Sequence, residues 1–263
     1  MYCSRIVRVP SADGPGGART VTPGRGSEGF RWVPAADGAP AAASGGCRRR
    51  VYRRAYTRRP SSSDVDSQEV RRQWAERSGE FSPTYYAYRG PDERSEAVLD
   101  AIKRRLDTDA RVLELGCSSG RHLSHLYDNG FRDLHGIELN PDAIEVMAEH
   151  YPELVDAATV HIGAMEDIVG EFADDAFDAV YSVETLQHIH PDAEWVFAEL
   201  ARITEDLLVT VENEGEDDEE LNYVNDEVPL HYRDWHAVFT GLGLTEDETR
   251  AGDRDTIRAF TAR

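Results

Sequence analysis

The chain has 263 residues, a formal net charge of −21 and three scattered cysteines, which are too few for a disulfide framework and indicate a reducing, cytoplasmic environment. No apolar run approaches the roughly 20 residues of a membrane span and no apolar leader opens the chain, so we expect neither a membrane protein nor a secreted one. A diffuse acidic surface repels nucleic-acid phosphates, which argues against a DNA or RNA substrate.

Residues 1–62 differ in composition from the rest of the chain. They are rich in Gly, Pro, Ala, Ser and Arg, and the first 60 contain 12 arginines against three acidic residues. Such a segment does not bury enough apolar surface to fold, so we predict a disordered tail that precedes a domain at residues 63–263. The arginines at positions 48–59 also fit an arm for nucleic acid or another anionic surface. The abrupt reversal of charge near Pro60 favours a dispensable tail, or a start site assigned too far upstream.

The predicted domain is strongly acidic. From residue 61 onward 47 acidic residues face 17 basic ones, and Lys103 is the only lysine of the chain. This composition is similar to that of halophilic archaeal proteins, in which concentrated ions screen self-repulsion and acidic side chains keep the surface hydrated. A dedicated cationic partner is the alternative explanation.

Apolar periodicity predicts an alternation of helices and strands along the domain. Helices are predicted over Val65–Ser78, Pro91–Leu106, Gly120–Asn129, Pro141–His150, Met165–Phe172, Ala193–Thr204 and Tyr232–Leu242, with an aromatic loop or short helix over Phe81–Gly90. Strands are predicted over Arg111–Leu115, Leu134–Leu139, Ala158–Gly163, Phe177–Val183, Asp206–Val211, Leu244–Ala251 and Thr256–Thr261, with an acidic loop at Glu212–Glu220.

Strands separated by helices imply right-handed crossovers and a parallel sheet covered on both faces. The last two strands lie close together in the sequence and fit a hairpin that adds an antiparallel edge. The predicted fold class is therefore α/β, with a Rossmann-like, doubly wound, mostly parallel sheet of seven strands and an antiparallel C-terminal edge strand.

A turn of small residues, Glu114–Gly120 (ELGCSSG), joins one predicted strand to the next helix. Gly116 can adopt backbone angles closed to other residues, and it lets a ligand approach the main chain. The start of the following helix offers unpaired N–H groups. This turn is the strongest ligand-binding signal in the sequence.

An acidic residue, Glu138, ends the next predicted strand 22 positions after Gly116. A carboxylate there can accept hydrogen bonds from both ribose hydroxyls of an adenosine ligand. The fingerprint of NAD or FAD sites, G-x-G-x-x-G, fails at Ser118 and Arg121. Glu114, two residues before the first glycine, would sit poorly beside a pyrophosphate and suits a ligand with a cationic amino-acid end.

Three motifs together resemble those of the class I S-adenosylmethionine-dependent methyltransferases, in particular the type 11/25 methyltransferase-domain group. Glu114–Gly120 is similar to the first motif, with Ser118 in place of its middle glycine. Gly136–Asp142 is similar to the second motif, and Phe177–Ile189 to the motif of the fourth strand. The resemblance covers roughly residues 91–211.

The resemblance implies S-adenosylmethionine as the cofactor. On the matching positions, Glu114 and the loop Gly116–Gly120 would hold the amino-acid part, and Glu138 the ribose. Leu139 and Met165 would contact the adenine, and Ser182 would lie beside the methionine portion. The expected cofactor-binding residues are therefore Glu114, Gly116, Cys117, Ser118, Gly120, Glu138, Leu139, Met165 and Ser182.

The candidates for a catalytic base are Glu184, His188 and His190, which follow the fourth strand at the expected mouth of the site. The reaction needs a base only where the acceptor must lose a proton. Structural roles compete with this one, since His190-Pro191-Asp192 also fits a helix cap. His188 and His190 have no third ligand in the sequence pattern, so no metal site is expected.

Tyr85, Tyr86 and Arg89 precede the first core helix, in a region that often covers the cofactor in the family, and are the candidate lining of the acceptor pocket. Ordinary packing is the alternative for them. No Pro-Cys motif follows the fourth strand, and Ser182–Thr185 occupies the place of the motif for amino-group methylation of nucleic acids. A small-molecule acceptor is therefore expected, with a protein acceptor as the alternative.

Two other functions stay open on the sequence. One is a non-catalytic subunit that binds S-adenosylmethionine, and the other is a nucleotide-cofactor enzyme built on a related Rossmann sheet. The failed dinucleotide fingerprint argues against the second of these. No feature of the sequence fixes the oligomeric state.

Overall fold

The structure, a computed structural model, describes residues 5–7, 66–215, 219–225 and 228–262. Its helices are α1 (Ser67–Ala75), α2 (Pro83–Arg89), α3 (Glu93–Lys103), α4 (Arg121–Asp128), α5 (Asp142–His150), α6 (Pro152–Ala157), α7 (Met165–Ile168), α8 (Trp195–Ile203) and α9 (Trp235–Gly241). Its strands are β1 (Arg5–Val7), β2 (Arg111–Leu115), β3 (Asp133–Glu138), β4 (Thr159–Ile162), β5 (Phe177–Val183), β6 (Thr204–Glu212), β7 (Leu221–Val224), β8 (Val228–His231), β9 (Thr245–Ala251) and β10 (Thr256–Thr261). None of these helices has the length and apolar character that crossing a bilayer requires.

One sheet has the strand order β1-β4-β3-β2-β5-β6-β10-β9. Strands β4, β3, β2, β5 and β6 pair in parallel, and β10 pairs antiparallel with both β6 and β9. The seven predicted strands are all present in this sheet. The predicted α/β class, the mostly parallel sheet and its antiparallel C-terminal edge are therefore confirmed.

The eighth strand, β1, is an addition to the prediction. Residues Arg5–Val7 pair antiparallel with Val160–Ile162 of β4 and so continue the sheet at its other edge. The remainder of the predicted tail, residues 1–62, lies outside the described residues.

Both faces of the sheet are buried, which explains why its central strands read as nearly continuous apolar runs. Alternate residues of β2 enter different cores, since Val112 belongs to one apolar cluster while Leu113 and Leu115 belong to the other. In β6, Val209 and Leu208 divide between the two clusters in the same way. The two cores hold the carboxyl ends of the central strands in fixed positions.

A smaller third cluster joins α1 to the hairpin β7–β8. Val70 packs with Val224, Val228 and Leu230, and partly buried Trp74, Phe81 and Tyr232 complete this cluster. We call α1, α2 and the hairpin β7–β8 the cover, because they lie over the carboxyl end of the sheet. The sequence did not predict the hairpin, since each of its strands has four residues and Pro229 interrupts the second pattern.

Two further elements differ from the sequence-based prediction. Helix α6, Pro152–Ala157, was not expected, because six residues are too few for a clear helical period. Glu212 belongs to β6 and is fully buried, whereas the prediction placed it in an acidic loop.

Candidate functional site

A cavity with about 1070 Å³ of empty space, part of it open to solvent, lies at the carboxyl ends of β2, β3, β4 and β5. The loops after these strands supply Gly116–Ser118, Glu138–Asn140, Gly163–Glu166 and Val183–Thr185 to its lining. The cover supplies the opposite side. In open α/β sheets this end of the strands is where ligands bind.

The loop after β2 needs unusual backbone angles. Gly116 has φ +69°, and a Cβ at this position would lie 2.5 Å from Oγ1 of Thr185. Only glycine therefore allows the loops after β2 and β5 to approach this closely. Ser118 also lies in the left-handed region, with φ +48°, at a cost of about 1 kcal/mol for a residue with a side chain.

Glu138 is buried at the end of β3, in the wall of the cavity. Its Oε2 accepts a hydrogen bond from the Ser118 N–H at 2.7 Å, and its Oε1 accepts one from the Asn140 N–H at 2.6 Å. Burial raises the pKa of this carboxyl, and the backbone donors oppose that rise. A carboxylate offers about four lone pairs, so Glu138 keeps capacity for ligand hydroxyls.

Leu139 and Met165 line the cavity next to Glu138, on the loops after β3 and β4. Cys117 lines it as well, and burial raises the pKa of its thiol. Six of the nine predicted cofactor residues thus surround one cavity: Gly116, Cys117, Ser118, Glu138, Leu139 and Met165.

The other three predicted cofactor residues, Glu114, Gly120 and Ser182, lie behind the lining. Burial raises the pKa of Glu114 to about 8, and its carboxyl accepts a hydrogen bond from the Tyr181 hydroxyl at 2.9 Å. A Cβ on Gly120 would lie 2.8 Å from both Leu154 and Met147, so this glycine permits close packing. Ser182 is fully buried and donates its hydroxyl to Glu212.

Glu212 is a residue of the site that sequence reasoning missed. Its Oε1 accepts hydrogen bonds from the Ser182 hydroxyl and, at 3.1 Å each, from the N–H groups of Thr185 and Leu186. Its Oε2 accepts from the Gln187 N–H at 3.4 Å. Burial raises the pKa of Glu212 to about 7, against these donors. The carboxylate therefore holds the loop after β5, which lines the cavity.

Two of the three candidate bases line the cavity. Glu184 has φ +50°, and its carboxylate faces Arg254 at 3.4 Å and Arg94 at 3.8 Å. Backbone strain of this kind concentrates at functional sites. His188 donates to the Pro229 carbonyl, and burial lowers its pKa to about 3.

The third candidate, His190, lies outside the lining and caps a 3-10 turn, since its Nδ1 accepts from the Asp192 N–H at 3.3 Å. This is the capping role weighed for it above. Within the described part of the chain, no group of three or more His, Cys, Asp or Glu side chains is arranged to hold a metal ion.

The cover places only one of the predicted pocket residues at the cavity. Tyr86 lines it, whereas the Tyr85 hydroxyl accepts a hydrogen bond from Arg89 at 2.8 Å outside the lining. Trp74 and Phe81 also line the cavity and were not predicted as site residues. The Trp74 ring packs edge-on against His188, with 4.5 Å between the ring centroids. Trp74 lies within the predicted helix Val65–Ser78, but the sequence pattern did not indicate that this helix meets a cavity.

The central part of the chain matches the model of a known protein family. Residues 112–206, from β2 into β6, match the family model described as a methyltransferase domain. This matched segment is therefore similar to the methyltransferase domains of that family. Its loops after β2, β3, β4 and β5 are the ones that line the cavity.

The curated relatives of the chain are distant. The chain is 31% identical over 98 residues to a dTDP-3-amino-3,6-dideoxy-alpha-D-glucopyranose N,N-dimethyltransferase of Streptomyces fradiae, with 35% of this chain and 36% of the relative covered. It is 26% identical over 178 residues to an eEF1A lysine and N-terminal methyltransferase homolog of Drosophila melanogaster, with 62% of this chain and 25% of that protein covered. The chain thus spans only a quarter to about a third of these relatives.

The fold is shared with the magnesium protoporphyrin IX methyltransferase of Synechocystis PCC 6803. The TM-score is 0.56 at 13% identity, and the match covers 77% of this chain and all of the other. At this identity the likeness concerns the fold alone. Helices α1 and α2 and the hairpin β7–β8 lie outside the residues matched by the methyltransferase domain model.

Proposed function

We propose that the chain binds S-adenosylmethionine in the cavity and transfers its methyl group to a small-molecule acceptor. Glu138 carries this proposal, because it is a buried carboxylate in the cavity wall that keeps acceptor capacity for ribose hydroxyls. The Synechocystis methyltransferase of the same fold was solved with bound S-adenosylmethionine, which supports this choice of cofactor.

The lining residues suggest one orientation for the cofactor. Glu138 would accept from the ribose, while Leu139 and Met165 would enclose the adenine. The main chain of Gly116–Ser118 would approach the amino-acid part, where the absence of a Cβ on Gly116 leaves room. Cys117 would contribute its backbone, since its buried thiol keeps its proton.

The three buried residues behind the lining would position it. Glu114 accepts from Tyr181 and from the Leu123 N–H at the start of α4, and it thereby ties β2 and β5 to that helix. Gly120 lets α4 pack against α5 and α6. Ser182 acts through Glu212 on the loop after β5.

Bound S-adenosylmethionine supplies an electrophilic methyl group on a sulfonium, so the chain's own task is chiefly to align the acceptor. The loop after β5 lies between the proposed cofactor side and the cover, and Glu212 fixes it. Glu184 lies between Arg94 and Arg254, and these two ion pairs hold its carboxylate in place.

A small acceptor is favoured over a protein because the cover lies over the cavity. The two curated relatives differ on this point, since one is named for an amino sugar nucleotide and the other for a protein substrate. Trp74, Phe81 and Tyr86 line the cavity from the cover side and narrow the space left for an acceptor. Such a chamber suits a small ligand that is largely enclosed.

Calorimetric titration of the purified chain with S-adenosylmethionine, and separately with NAD, tests the cofactor. We expect micromolar binding of the first and none of the second. Binding of NAD alone would support the nucleotide-cofactor alternative. A folded sample that binds neither would contradict the proposal.

Turnover requires its own measurement. Incubation with methyl-labelled S-adenosylmethionine and a set of small hydroxylated and amino compounds should release S-adenosylhomocysteine with one of them. Binding of the cofactor without turnover on small molecules or proteins would favour the non-catalytic partner subunit. We also propose that residues 63–263 suffice for binding and that the protein works in the cytoplasm.

A further inference from the structure

The cover presents an aromatic wall to the cavity, made of Trp74, Phe81 and Tyr86. Each ring already has a guanidinium over it. Cζ of Arg77 lies 5.6 Å from the Trp74 ring centroid and 5.8 Å from that of Phe81. Cζ of Arg121 lies 5.0 Å from the centroid of Tyr86.

These contacts determine whether a cationic or a non-cationic ligand ring can pack against the aromatic wall. A cation is attracted to an aromatic face by the ring quadrupole, within about 6 Å of the centroid. On this wall arginines already make that interaction. A second cation at the same rings would meet like charge, whereas a flat uncharged or anionic ring would not.

The acidic groups around the cavity do not reverse this preference. Glu138 lies on the proposed cofactor side, where its remaining acceptor capacity serves the ribose, and Glu184 faces Arg94 and Arg254. Glu166 belongs to α7, on the side formed by the loop after β4. Asp92 pairs with Arg121 at 2.8 Å, and Asp167 lies 3.9 Å from Arg71, which lines the cavity from α1. The preference therefore depends chiefly on the guanidinium of Arg77 over Trp74 and Phe81.

We infer that the aromatic wall selects a flat, uncharged or anionic small molecule as methyl acceptor and excludes cationic amines. The inference rests on the proposed function, because it treats the wall as the acceptor side of the same cavity. In the reaction, the acceptor atom gives the electron pair of the new bond to the methyl carbon, and the pair of the broken carbon–sulfur bond stays on sulfur. An anionic oxygen transfers no proton, and a neutral hydroxyl gives its proton to water.

The surroundings of His188 agree with this class of acceptor. A protonated amine would have to lose a proton before it could accept a methyl group. His188 packs against Trp74 and donates to the Pro229 carbonyl, and its Nδ1 is buried with no hydrogen-bond partner among the residues that the structure describes. Its pKa near 3 makes it a poor proton acceptor for an amine.

Three ring probes of matched shape test the inference: benzoate, benzamide and benzylamine. Their binding to the full chain is measured by ligand-observed NMR titration in the presence of S-adenosylhomocysteine. We expect benzylamine to bind at least tenfold more weakly than both others. Equal or tighter binding of benzylamine, or no binding of any probe, would overturn the inference.

A matched pair of variants tests whether the arginine over the aromatic wall causes the discrimination against benzylamine. Arg77→Gln removes the guanidinium over Trp74 and Phe81 and should reduce the discrimination against benzylamine at least threefold. Arg89→Gln removes a guanidinium that lies 5.6 Å from the centroid of Tyr85, outside the lining, and should leave it unchanged. Equal effects of both variants would assign the selectivity to general surface charge and overturn the inference.

Binding of S-adenosylhomocysteine, measured by calorimetry on the same sample, separates this inference from the proposed function. If S-adenosylhomocysteine binds and the probes show no selectivity, the inference alone fails. If it does not bind, the proposed function fails, and the probe series without it still decides the charge preference. The wild-type series requires no variant, so a variant that fails to fold leaves the test intact.

Discussion

The carboxylate of Glu138 accepts a hydrogen bond of 2.7 Å from the main-chain N–H of Ser118, which joins the end of β3 to the loop after β2. The contact is made 20 positions apart in sequence and depends on the left-handed backbone of Ser118, with φ +48°. One residue thus both shapes the glycine loop and offers acceptor capacity to the cavity. A substitution of Glu138 should therefore lower the affinity for the ligand more than it lowers the stability of the fold.

Glu138→Gln should weaken S-adenosylmethionine binding about 10- to 100-fold, since hydrogen bonds to charged groups contribute about 1.5–3 kcal/mol each. Calorimetric titration gives the affinity, and the melting temperature reports on the fold. Glu145→Gln, on an exposed position of α5, is the matched control and should bind like the wild type. An unchanged affinity for Glu138→Gln in a folded protein would remove the ribose assignment.

Gly116→Ala should destabilise the fold and disturb the loop after β5. The alanine Cβ would lie 2.5 Å from Oγ1 of Thr185, and φ +69° is unfavourable for any residue with a side chain. We expect a loss of about 2 kcal/mol in the free energy of unfolding, measured by denaturant titration. Gly170→Ala, where no atom of the described residues lies within 4 Å of the new Cβ, should stay within about 0.5 kcal/mol of the wild type. Similar losses in both variants would show that the contact with Thr185 is not the cause.

The sequence was sufficient to predict the sheet and most of the loops around the cavity, because these signals are local. A buried strand followed by Gly116, or ended by Glu138, is visible within ten residues. The role of Glu212 was not predictable, since its partner Ser182 is 30 positions away and becomes a neighbour only through the pairing of β5 with β6.

The cover was harder still to predict. Tyr85 and Tyr86 are adjacent, yet successive residues of a helix differ in direction by about 100°, so only Tyr86 reaches the cavity. Sequence reasoning could name the pair but could not choose between them. The orientation of α2, which carries both tyrosines, is set by its packing against α5, a contact between elements that the pattern of either helix does not reveal.

Lowering the salt concentration should destabilise the fold if the acidic composition reflects salt adaptation. From residue 61 onward, 47 acidic residues face 17 basic ones, and at low salt their repulsion is less screened. We expect the melting temperature to rise steadily as the KCl concentration is increased from about 0.1 M to about 2 M. A melting temperature that rises as salt is removed would defeat this explanation and favour a cationic partner.

Deletion of residues 1–62 should leave folding and cofactor binding intact. The deletion removes β1 and exposes the edge of β4, but the central pairs from β4 to β6 stay complete. We expect a melting temperature within about 4 °C of the full chain, which corresponds to about 1 kcal/mol for a domain of this size. Ile6→Pro in the full chain removes one N–H from β1 and serves as the control for the exposed edge. Loss of folding in the deletion alone would show that the segment belongs to the domain through more than this strand.

Glu212→Gln should change how stability depends on pH. Burial raises the pKa of Glu212 from an ordinary 4.5 to about 7, so the folded state binds more protons than the unfolded state between these values. Its contribution to stability is therefore fully present below pH 4.5 and is lost as the pH rises towards 7, with a slope on the order of 1 kcal/mol per pH unit. The glutamine side chain keeps an oxygen for the three donors at Oε1 but does not titrate. The free energy of unfolding of the variant should therefore depend less on pH between about pH 5 and pH 7.

Urea unfolding at a series of pH values measures the difference, with Glu153→Gln, at an exposed position, as the control. Parallel pH profiles for the wild type and Glu212→Gln would mean that the carboxyl is ionised throughout this range and that its four donors outweigh the cost of burial.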